Sequence, residues 1–255
     1  MQSHRSDPRI LGRRTLQRDH RCLAELLRPG LSVLDVGCGT GAITAGIAKA
    51  VAPHGQVVGV DRDEVLLELA RTGHGSLANL KFELGDATAM RFRSEFDIVT
   101  AARTLQWIAE PALAIAKMKQ AAKPGGLLVV LDYNHARNEW KPDPPHEFQQ
   151  FCQAFLAWRQ ANGWDKEMAN HLPELFRSAG LVEVESHVQD EVAERGDERT
   201  AIWSEVIENV GEQIAKAGFC TELQLRQARE GYGSWVKTEL LKQILAMRSV
   251  TGKVP

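Results

Sequence analysis

In the first half of the chain, short apolar runs alternate with stretches whose apolar residues recur at helical spacing. The apolar runs predict strands over residues 31–36, 56–60, 80–84, 96–100 and 127–131. The stretches between them predict helices over residues 13–27, 41–51, 63–72 and 111–122, with Asp63 at an N-cap and Gly73 at a C′ position. Strands and helices that alternate in this way indicate an α/β fold whose parallel sheet is covered on both faces.

After residue 133 the pattern changes. Residues 134–145 hold three prolines and predict a loop, and the charged run 190–199 predicts a solvated connection. Helices are expected over 145–163, 171–179, 199–217 and 221–238, and strands over 181–188 and 244–251. We interpret the late helices as a cap inserted around the last strands. One helix face is predicted to pack in a core, with an apolar substrate pocket or a dimer contact as alternatives: Phe148, Phe151, Phe155 and Trp158.

Composition argues against several classes of protein. The 255-residue chain has 44% hydrophobic and 25% charged residues, which is ordinary for a soluble domain. Its formal net charge of -2 offers no basic field for nucleic acid. The cysteines at positions 22, 38, 152 and 220 have neither CxxC nor zinc-type spacing, so we predict free thiols and no metal. The chain has no signal-peptide core and no apolar run of about 18 residues, which predicts a cytoplasmic protein without a membrane span.

The segment 33-VLDVGCGTGAIT-44 carries the clearest candidate chemistry. Gly37, Gly39 and Gly41 follow the first strand, at the edge where open parallel sheets bind ligands. Glycines at alternate positions let a ligand approach the backbone closely. The run 37-GCGTGA-42 also fits the G-x-G-x-x-G/A pattern of dinucleotide sites, so a nicotinamide cofactor and S-adenosylmethionine (SAM) are both candidates at this point.

Acidic residues near three strand ends help to separate these two ligands. Asp35 would repel a nearby pyrophosphate, whereas it would favour the sulfonium and ammonium groups of SAM. Asp61 comes 20 residues after Gly41 and could accept hydrogen bonds from ribose hydroxyls, which both cofactors have. Asp86, in the turn 85-GDA-87, could accept a hydrogen bond from the adenine amine. Asp35 therefore favours SAM.

In their order along the chain, these motifs resemble those of class I SAM-dependent methyltransferases. The matching runs lie within about residues 30–133 and are LDVGCGTG, VVGVDRD, GDA, FDIVTAARTLQWI and KPGGLLVV. The chain looks most like the small-molecule branch around ubiquinone and menaquinone biosynthesis methyltransferases. Gln106 and Trp107 stand where many of these relatives have histidine, so substrate chemistry is not carried over from them.

The resemblance implies a Rossmann-like, mostly parallel sheet of seven strands with an antiparallel last strand, helices on both faces and the helical cap. It implies a single domain in which residues 1–30 cover the cofactor, 31–133 bind it, and 134–255 supply the cap and the last two strands. The implied cofactor is SAM, with S-adenosyl-L-homocysteine (SAH) as product. Its implied contacts are Asp35, Gly37, Cys38, Gly39 and Gly41 for the methionyl part, Asp61 for the ribose, Arg62, Asp86 and Ala87 for the adenine, and Ala102 and Arg103 near the sulfonium.

Methyl transfer is an in-line displacement that needs the nucleophile about 3 Å from the methyl carbon. The leaving thioether is neutral, so a base matters only where the nucleophile must lose a proton. Candidate bases are His135, Tyr133 and His20, and candidate walls of a substrate pocket are Trp107, Tyr133, Tyr232 and Trp235. We predict an enzyme that methylates an oxygen, carbon or nitrogen of a small molecule, as a monomer or homodimer. A nicotinamide-dependent oxidoreductase and a non-catalytic SAM-binding protein are the alternatives.

Overall fold

Residues 7–255, which the computed structural model describes, form ten β-strands and ten α-helices. The strands are β1 (Ser32–Val36), β2 (Gln56–Asp61), β3 (Leu80–Leu84), β4 (Phe96–Ala102), β5 (Ala122–Tyr133), β6 (Glu139–Lys141), β7 (Val182–Val188), β8 (Glu191–Glu194), β9 (Lys242–Leu245) and β10 (Met247–Lys253). The helices are α1 (Pro8–Gly12), α2 (Leu16–Asp19), α3 (Arg21–Leu26), α4 (Ala42–Val51), α5 (Glu64–His74), α6 (Pro111–Ala121), α7 (His146–Ala161), α8 (Met168–Ser178), α9 (Ile202–Lys216) and α10 (Glu222–Thr238).

The chain divides into two compact units. The sheet unit comprises the described residues up to Tyr133 together with Met168–Gln189 and Met247–Pro255, and the helical unit comprises Asn134–Glu167 and Asp190–Ala246. Three expectations stay predictions. They are the division into residues 1–30, 31–133 and 134–255, the union of these ranges in one domain, and the role of the late helices as a cap. Across the part of the chain that is described, no helix combines the length and apolarity needed to cross a membrane.

The sheet unit is built on a seven-stranded sheet in the order β3-β2-β1-β4-β5-β10-β7. Strands β1 to β5 run parallel to one another, whereas β10 is antiparallel to both β5 and β7. The seven-stranded, mostly parallel sheet with an antiparallel last strand is therefore confirmed. The strand order reverses between β1 and β4, so the segments after these two strands flank the switch point at which open sheets bind ligands.

Apolar side chains of the sheet belong to two separate clusters. Leu34 of β1 shares one cluster with Met118 of α6 and Phe176 of α8. Its neighbour Val33 shares the other cluster with Ile47 of α4. All five side chains are fully buried. Because successive strand residues point to opposite faces and both faces are covered, the strand is apolar along most of its length, which is why apolar runs predict these strands correctly.

The prediction of one helix over residues 13–27 is wrong, because the helix divides at His20 into α2 and α3. Thr15 accepts a hydrogen bond from the Arg18 N–H, and its own N–H donates to the Asp19 carboxylate, which completes a single turn. His20 then leaves the helical conformation, with φ -149° and ψ 58°, and its buried ring contacts Thr100 of β4. This tertiary contact overrides the local helical pattern.

Two glycine positions in the sheet unit also differ from expectation. Gly73 lies inside α5, and Gly75 is the C-cap because its N–H reaches the Arg71 carbonyl at 2.9 Å. The segment 123-KPGG-126, which precedes the strand predicted over 127–131, lies within β5. Gly125 donates to the Val254 carbonyl at 2.9 Å, and this pairing with the end of the chain holds the segment in the sheet.

The helical unit contains α7, α9, α10 and an antiparallel sheet in the order β6-β9-β8. Its core is aromatic: the Phe148 ring centroid lies 4.2 Å from that of Tyr232 and 5.6 Å from that of Trp203. The predicted core packing of one α7 face is confirmed, because its aromatic side chains are at most 3% exposed: Phe148, Phe151, Phe155 and Trp158.

Three predictions for the late segments are wrong. The expected loop 134–145 contains β6, and the expected connection 190–199 contains β8, since both segments pair with β9. The expected last strand 244–251 divides at Ala246 between β9 and β10, which belong to different sheets. Backbone pairing holds β6 and β8, and their charged sequences lack the apolar alternation that identifies a strand.

Candidate functional site

The glycine loop, residues 37–41, joins β1 to α4 at the switch point of the sheet. The Val60 carbonyl accepts hydrogen bonds from the backbone N–H groups of Gly37 at 2.7 Å and Cys38 at 3.1 Å. The Gly41 N–H donates to the Cys38 carbonyl at 2.9 Å, directly before α4 begins. These bonds fix the shape of the loop between the ends of β1 and β2.

Gly37 and Gly41 adopt left-handed backbone angles, with φ of 76° and 75°. A Cβ atom at Gly37 would overlap Thr104, and one at Gly41 would lie 2.6 Å from Cζ of Phe82. The backbone and packing of the loop therefore require glycine at both positions. The glycines are weaker evidence for a ligand than their spacing suggested, because protein side chains occupy the space beside them.

Gly37→Ala is expected to lower the free energy of unfolding by about 3–4 kcal/mol, the sum of a left-handed backbone penalty and a steric overlap with Thr104. Gly125 is the matched control, because its φ of 77° is similar but no atom lies within 4 Å of its Cβ position. Gly125→Ala should lose only the backbone component, about 1–2 kcal/mol. Urea unfolding measures both variants, and equal losses would show that Thr104 does not restrict position 37.

Two acids with raised pKa values lie at this loop. Asp35 is 3% exposed and accepts a 2.7 Å hydrogen bond from the Thr44 hydroxyl. Burial raises the pKa of Asp35 to about 6; the Thr44 bond opposes this rise, and the nearby Asp61 adds to it. Burial also raises the pKa of Asp61, although its carboxylate accepts from the backbone N–H groups of Gly39 at 2.8 Å and Asp63 at 2.9 Å.

Three predicted adenine contacts follow β2 and β3. Arg62 and Asp86 are exposed, and Ala87 is half-buried against the core. Oδ1 of Asp86 accepts from the backbone N–H of Thr88 at 2.7 Å and from its hydroxyl at 2.6 Å. The Thr88 hydroxyl bond lowers the pKa of Asp86 most; burial opposes it, and the Thr88 N–H bond and the charge of Arg62 lower the pKa further. Asp86 is therefore a fixed, ionised acceptor at this edge of the sheet.

Cys38 and Ala102 border the loop. A Cβ atom at Gly59 of β2 would lie 3.0 Å from the Cys38 Sγ, so the thiol packs over that strand. Burial, together with the charges of Asp35 and Asp61, raises the pKa of the Cys38 thiol well above its usual range, which keeps the thiol neutral. Ala102 is the half-buried last residue of β4 and packs against the cluster that contains α4.

Arg103 is buried, and its guanidinium points into a polar cluster. Its Nε donates to the Tyr133 hydroxyl oxygen at 3.0 Å, and its Nη1 donates to the Asp19 carbonyl at 3.0 Å. The guanidinium carbon lies 5.7 Å from the centroid of the Tyr133 ring. The sequence placed Arg103 near a sulfonium. These contacts direct its positive charge toward Asp19 and Tyr133.

His20 is fully buried in the same cluster, with Nε2 at 2.9 Å from the Thr100 Oγ1. The single hydroxyl hydrogen of Thr100 goes to the Val129 carbonyl at 2.7 Å. Nε2 must therefore donate, and Nδ1 carries the lone pair of the neutral ring. Burial, with a contribution from Arg103, lowers the pKa of His20 to about 3. So low a pKa disfavours the predicted role of His20 as a base.

The other candidates for chemistry lie in different units. Tyr133 ends β5 in the sheet unit, and Trp107 is half-buried in a 3-10 turn after β4. His135 lies in the helical unit, where burial and the charge of Arg159 lower its pKa well below the usual range. Tyr232 and Trp235 are buried in the helical unit, and the Tyr232 hydroxyl lies 2.7 Å from the Thr200 carbonyl. Their assignment to a substrate pocket stays a prediction.

Sequence reasoning missed Asp132, a fully buried carboxylate at the end of β5. It accepts from the backbone N–H of Gln106 at 3.1 Å and of Tyr133 at 2.9 Å, which ties the turn after β4 to β5. The run 127-LLVVLD-132 ends on an acid just as the runs before Asp35 and Asp61 do, so the same signal identifies it. Among residues 7–255, no group of three or more His, Cys, Asp or Glu residues is placed to hold a metal ion.

A family model described as a methyltransferase domain matches residues 27–195. The demethylmenaquinone methyltransferase of Staphylococcus aureus is 38% identical over 107 residues, which are 42% of this chain and 44% of that relative. The chain thus spans less than half the length of the curated relatives that it matches.

Solved structures show the same fold. A SAM-dependent methyltransferase from Aquifex aeolicus has a TM-score of 0.55 at 17% identity, over 98% of this chain and 100% of that chain. Phosphoethanolamine N-methyltransferase 2 of Haemonchus contortus, in complex with phosphomonomethylethanolamine and S-adenosylhomocysteine, has a TM-score of 0.58 at 17% identity, over 94% of this chain and 52% of that chain. At these identities the likeness concerns the fold alone.

Proposed function

Since the chain belongs to the methyltransferase-domain family of class I SAM-dependent methyltransferases, we propose that it transfers a methyl group from SAM to an oxygen, carbon or nitrogen of a small molecule. The observation that carries this proposal is the position of two largely buried carboxylates at the glycine loop. Asp35 is 3% exposed and accepts from the Thr44 hydroxyl at 2.7 Å, and Asp61 accepts from the Gly39 N–H at 2.8 Å. Carboxylates in this state are stabilised by a nearby positive charge and destabilised by a negative one. The site therefore favours a cationic cofactor over a pyrophosphate.

The residues at the loop fit SAM in charge and in hydrogen-bonding capacity. When bound, SAM supplies a methyl group activated by a positively charged sulfur. Asp35, oriented by Thr44, would offer its carboxylate to the cationic methionyl end. Each oxygen of Asp61 already accepts one backbone N–H and retains further lone-pair capacity for a ribose hydroxyl.

The remaining cofactor contacts follow from the order of the strands. We assign the methionyl part to the loop itself, through Gly37, Cys38, Gly39 and Gly41. We assign the adenine to the ends of β2 and β3, through Arg62, Asp86 and Ala87. Ala102 and the backbone of Arg103, after β4, would border the sulfonium. The parallel strands β1 to β4 bring these segments to one edge of the sheet.

SAM affinity is expected to be nearly constant above about pH 7 and to fall by up to about tenfold per pH unit below about pH 6. Asp35 has a pKa of about 6 in the free protein, so a bound cation must displace its proton at lower pH. Asp61, whose pKa is also raised, steepens the fall. Calorimetry from pH 8 to pH 5 measures the profile. Unchanged affinity across this range would contradict a carboxylate–cation contact.

The acceptor would be a small molecule, with Trp107 and Tyr133 of the sheet unit as candidate contacts and Tyr133 as the candidate group for moving a proton. We propose that the protein does not bind nucleic acid and that its active form is a monomer or a homodimer. The relative named for demethylmenaquinone makes a quinone-like acceptor the first compound class to test.

The test is an assay of small-molecule extracts incubated with the protein and methyl-labelled SAM. Label transferred to a compound of low molecular mass supports the proposed reaction, and a parallel incubation with Asp61→Ala controls for contaminating enzymes. SAM that binds but never transfers label to any fraction would favour the non-catalytic alternative.

A further inference from the structure

The N-terminal segment, residues 7–27, lies against the glycine loop and the helix that follows it. Leu11 Cδ1 of α1 lies 2.9 Å from the position of a Cβ at Gly39, and Leu16 Cβ of α2 lies 2.7 Å from that of a Cβ at Gly46. Both leucines therefore pack directly on backbone that has no side chain. The segment covers one side of the loop that we assign to the cofactor.

Three residues, called the latch below, join this segment to the ends of β4 and β5: Asp19, Arg103 and Tyr133. Nη1 of Arg103 donates to the Asp19 carbonyl at 3.0 Å, and its Nη2 lies 3.6 Å from the Asp19 Oδ1. Its Nε donates to the Tyr133 hydroxyl oxygen at 3.0 Å. The Arg103 and Asp19 side chains are 3% and 6% exposed. Buried charge-assisted bonds of this kind favour one arrangement strongly, because a buried charge without its partner is costly.

The segment depends on side-chain contacts to stay in place. Helices α1, α2 and α3 have five, four and six residues, and helices this short are unstable by themselves in water. Besides the latch, His20 contacts Thr100 at 2.9 Å, and the Cys22 N–H donates to the Gln189 Oε1 at 3.0 Å. A segment held in this way can open locally when its long-range contacts weaken.

Arg103 is also linked to the glycine loop through the backbone. Its φ of 59° lies in the left-handed region, which residues with a side chain seldom adopt. From this conformation its guanidinium reaches both Asp19 and Tyr133. The next residue, Thr104, fills the space beside Gly37. A displacement of the glycine loop would therefore displace Arg103, and a displacement of Arg103 would displace the loop.

We propose that the latch holds the N-terminal segment closed over the glycine loop and thereby slows cofactor release, with Arg103 as the positioning residue. This proposal rests on the proposed function, since SAM and SAH are the ligands that the segment would retain. Tyr133 acts through Arg103 by fixing the position of its Nε, and Asp19 is the residue of the segment that the guanidinium binds. SAH release is then limited by opening of the latch.

The experiment measures dissociation of labelled SAH from preloaded protein after addition of excess unlabelled SAH. Tyr133→Phe and Arg103→Lys should each release SAH about tenfold faster, because each loses a hydrogen bond that involves the charged guanidinium. The double variant should be no faster than Arg103→Lys, because Tyr133 acts through the same group. Arg18→Gln is the control and should release SAH at the wild-type rate, since Arg18 is 38% exposed and pairs with the other oxygen of Asp19 at 3.1 Å.

Limited trypsin digestion gives a second readout, because cleavage at the segment's arginines requires it to open. SAH should protect the wild-type segment more than the segment of Tyr133→Phe, at a temperature at which both proteins remain folded. If SAH binds normally and both variants release it at the wild-type rate, the latch proposal is overturned but the proposed function is not. Faster release from Arg18→Gln as well would also overturn the latch, and failure of SAH to bind the wild-type protein would overturn both proposals.

Discussion

Asp35→Asn should weaken SAM binding by about 100-fold while making the free protein more stable near pH 8. The affinity falls because the amide keeps the size of the carboxylate but loses its negative charge beside a cationic ligand. Stability rises because folding shifts the pKa of Asp35 from 3.8 to about 6, so the folded state disfavours the ionised form. At about 1.4 kcal/mol per pKa unit, the gain is at most about 3 kcal/mol.

The sign of the stability effect can be tested with pH. A raised folded-state pKa adds stability that is complete below the unfolded pKa of 3.8 and is lost as the pH rises through about 6. The advantage of Asp35→Asn should therefore be large at pH 8 and nearly absent at pH 4. Urea unfolding at these two pH values, with calorimetry at pH 8, measures both effects. Wild-type affinity in the variant, or a difference in stability that does not depend on pH, would contradict the role of Asp35.

Asp61→Ala is expected to weaken SAM binding by about 100-fold as well, because it removes the acceptors for the ribose hydroxyls. The substitution also releases the Gly39 N–H, which now donates to Asp61 at 2.8 Å and holds the centre of the glycine loop. Calorimetry with SAM and SAH should show similar losses for both ligands, since they share the adenosyl ribose.

Asp63→Ala is the matched control for this change. Asp63 lies two residues further on, and its side chain caps α5 by accepting from the N–H groups of Val65 and Leu66. Loss of the cap should lower stability by about 1 kcal/mol and leave SAM affinity unchanged. Equal affinity losses in Asp61→Ala and Asp63→Ala would show that the effect comes from the helix and its strand end rather than from a contact to the ribose.

The parallel core could be predicted from sequence because its signals are local. β1, β2 and β4 are mainly apolar runs, β3 alternates apolar and charged residues, and the acids Asp35 and Asp61 lie near the carboxyl ends of β1 and β2. Once those strands are parallel, their ends share one edge, so the cofactor contacts could be proposed before any distance was known. Asp132 carries the same signal and could have been included.

The elements that sequence reasoning missed depend on distant residues. His20 interrupts a helical pattern because its ring contacts Thr100, which lies 80 positions away in the chain. β6 and β8 form because both pair with β9, although neither has an apolar alternation. The polar cluster around Arg103 joins residues from α2 and β5, and no short sequence motif predicts such a contact.

The role of the glycines also changes once their surroundings are known. Gly37 and Gly41 need their left-handed backbone and are crowded by Thr104 and Phe82. Their spacing is thus explained by the fold of the loop, and a dinucleotide-binding loop could have the same spacing. The preference for a cationic cofactor comes from Asp35, whose carboxylate is buried beside the loop, whereas Asp61 would serve the ribose of either cofactor.

The most direct measurement is calorimetric titration of the purified protein with SAM, SAH and NAD under identical conditions near pH 8. The two acids at the glycine loop predict that SAM and SAH bind with micromolar dissociation constants and that NAD does not bind. NAD binding without binding of SAM or SAH at high micromolar concentration would contradict the proposed function.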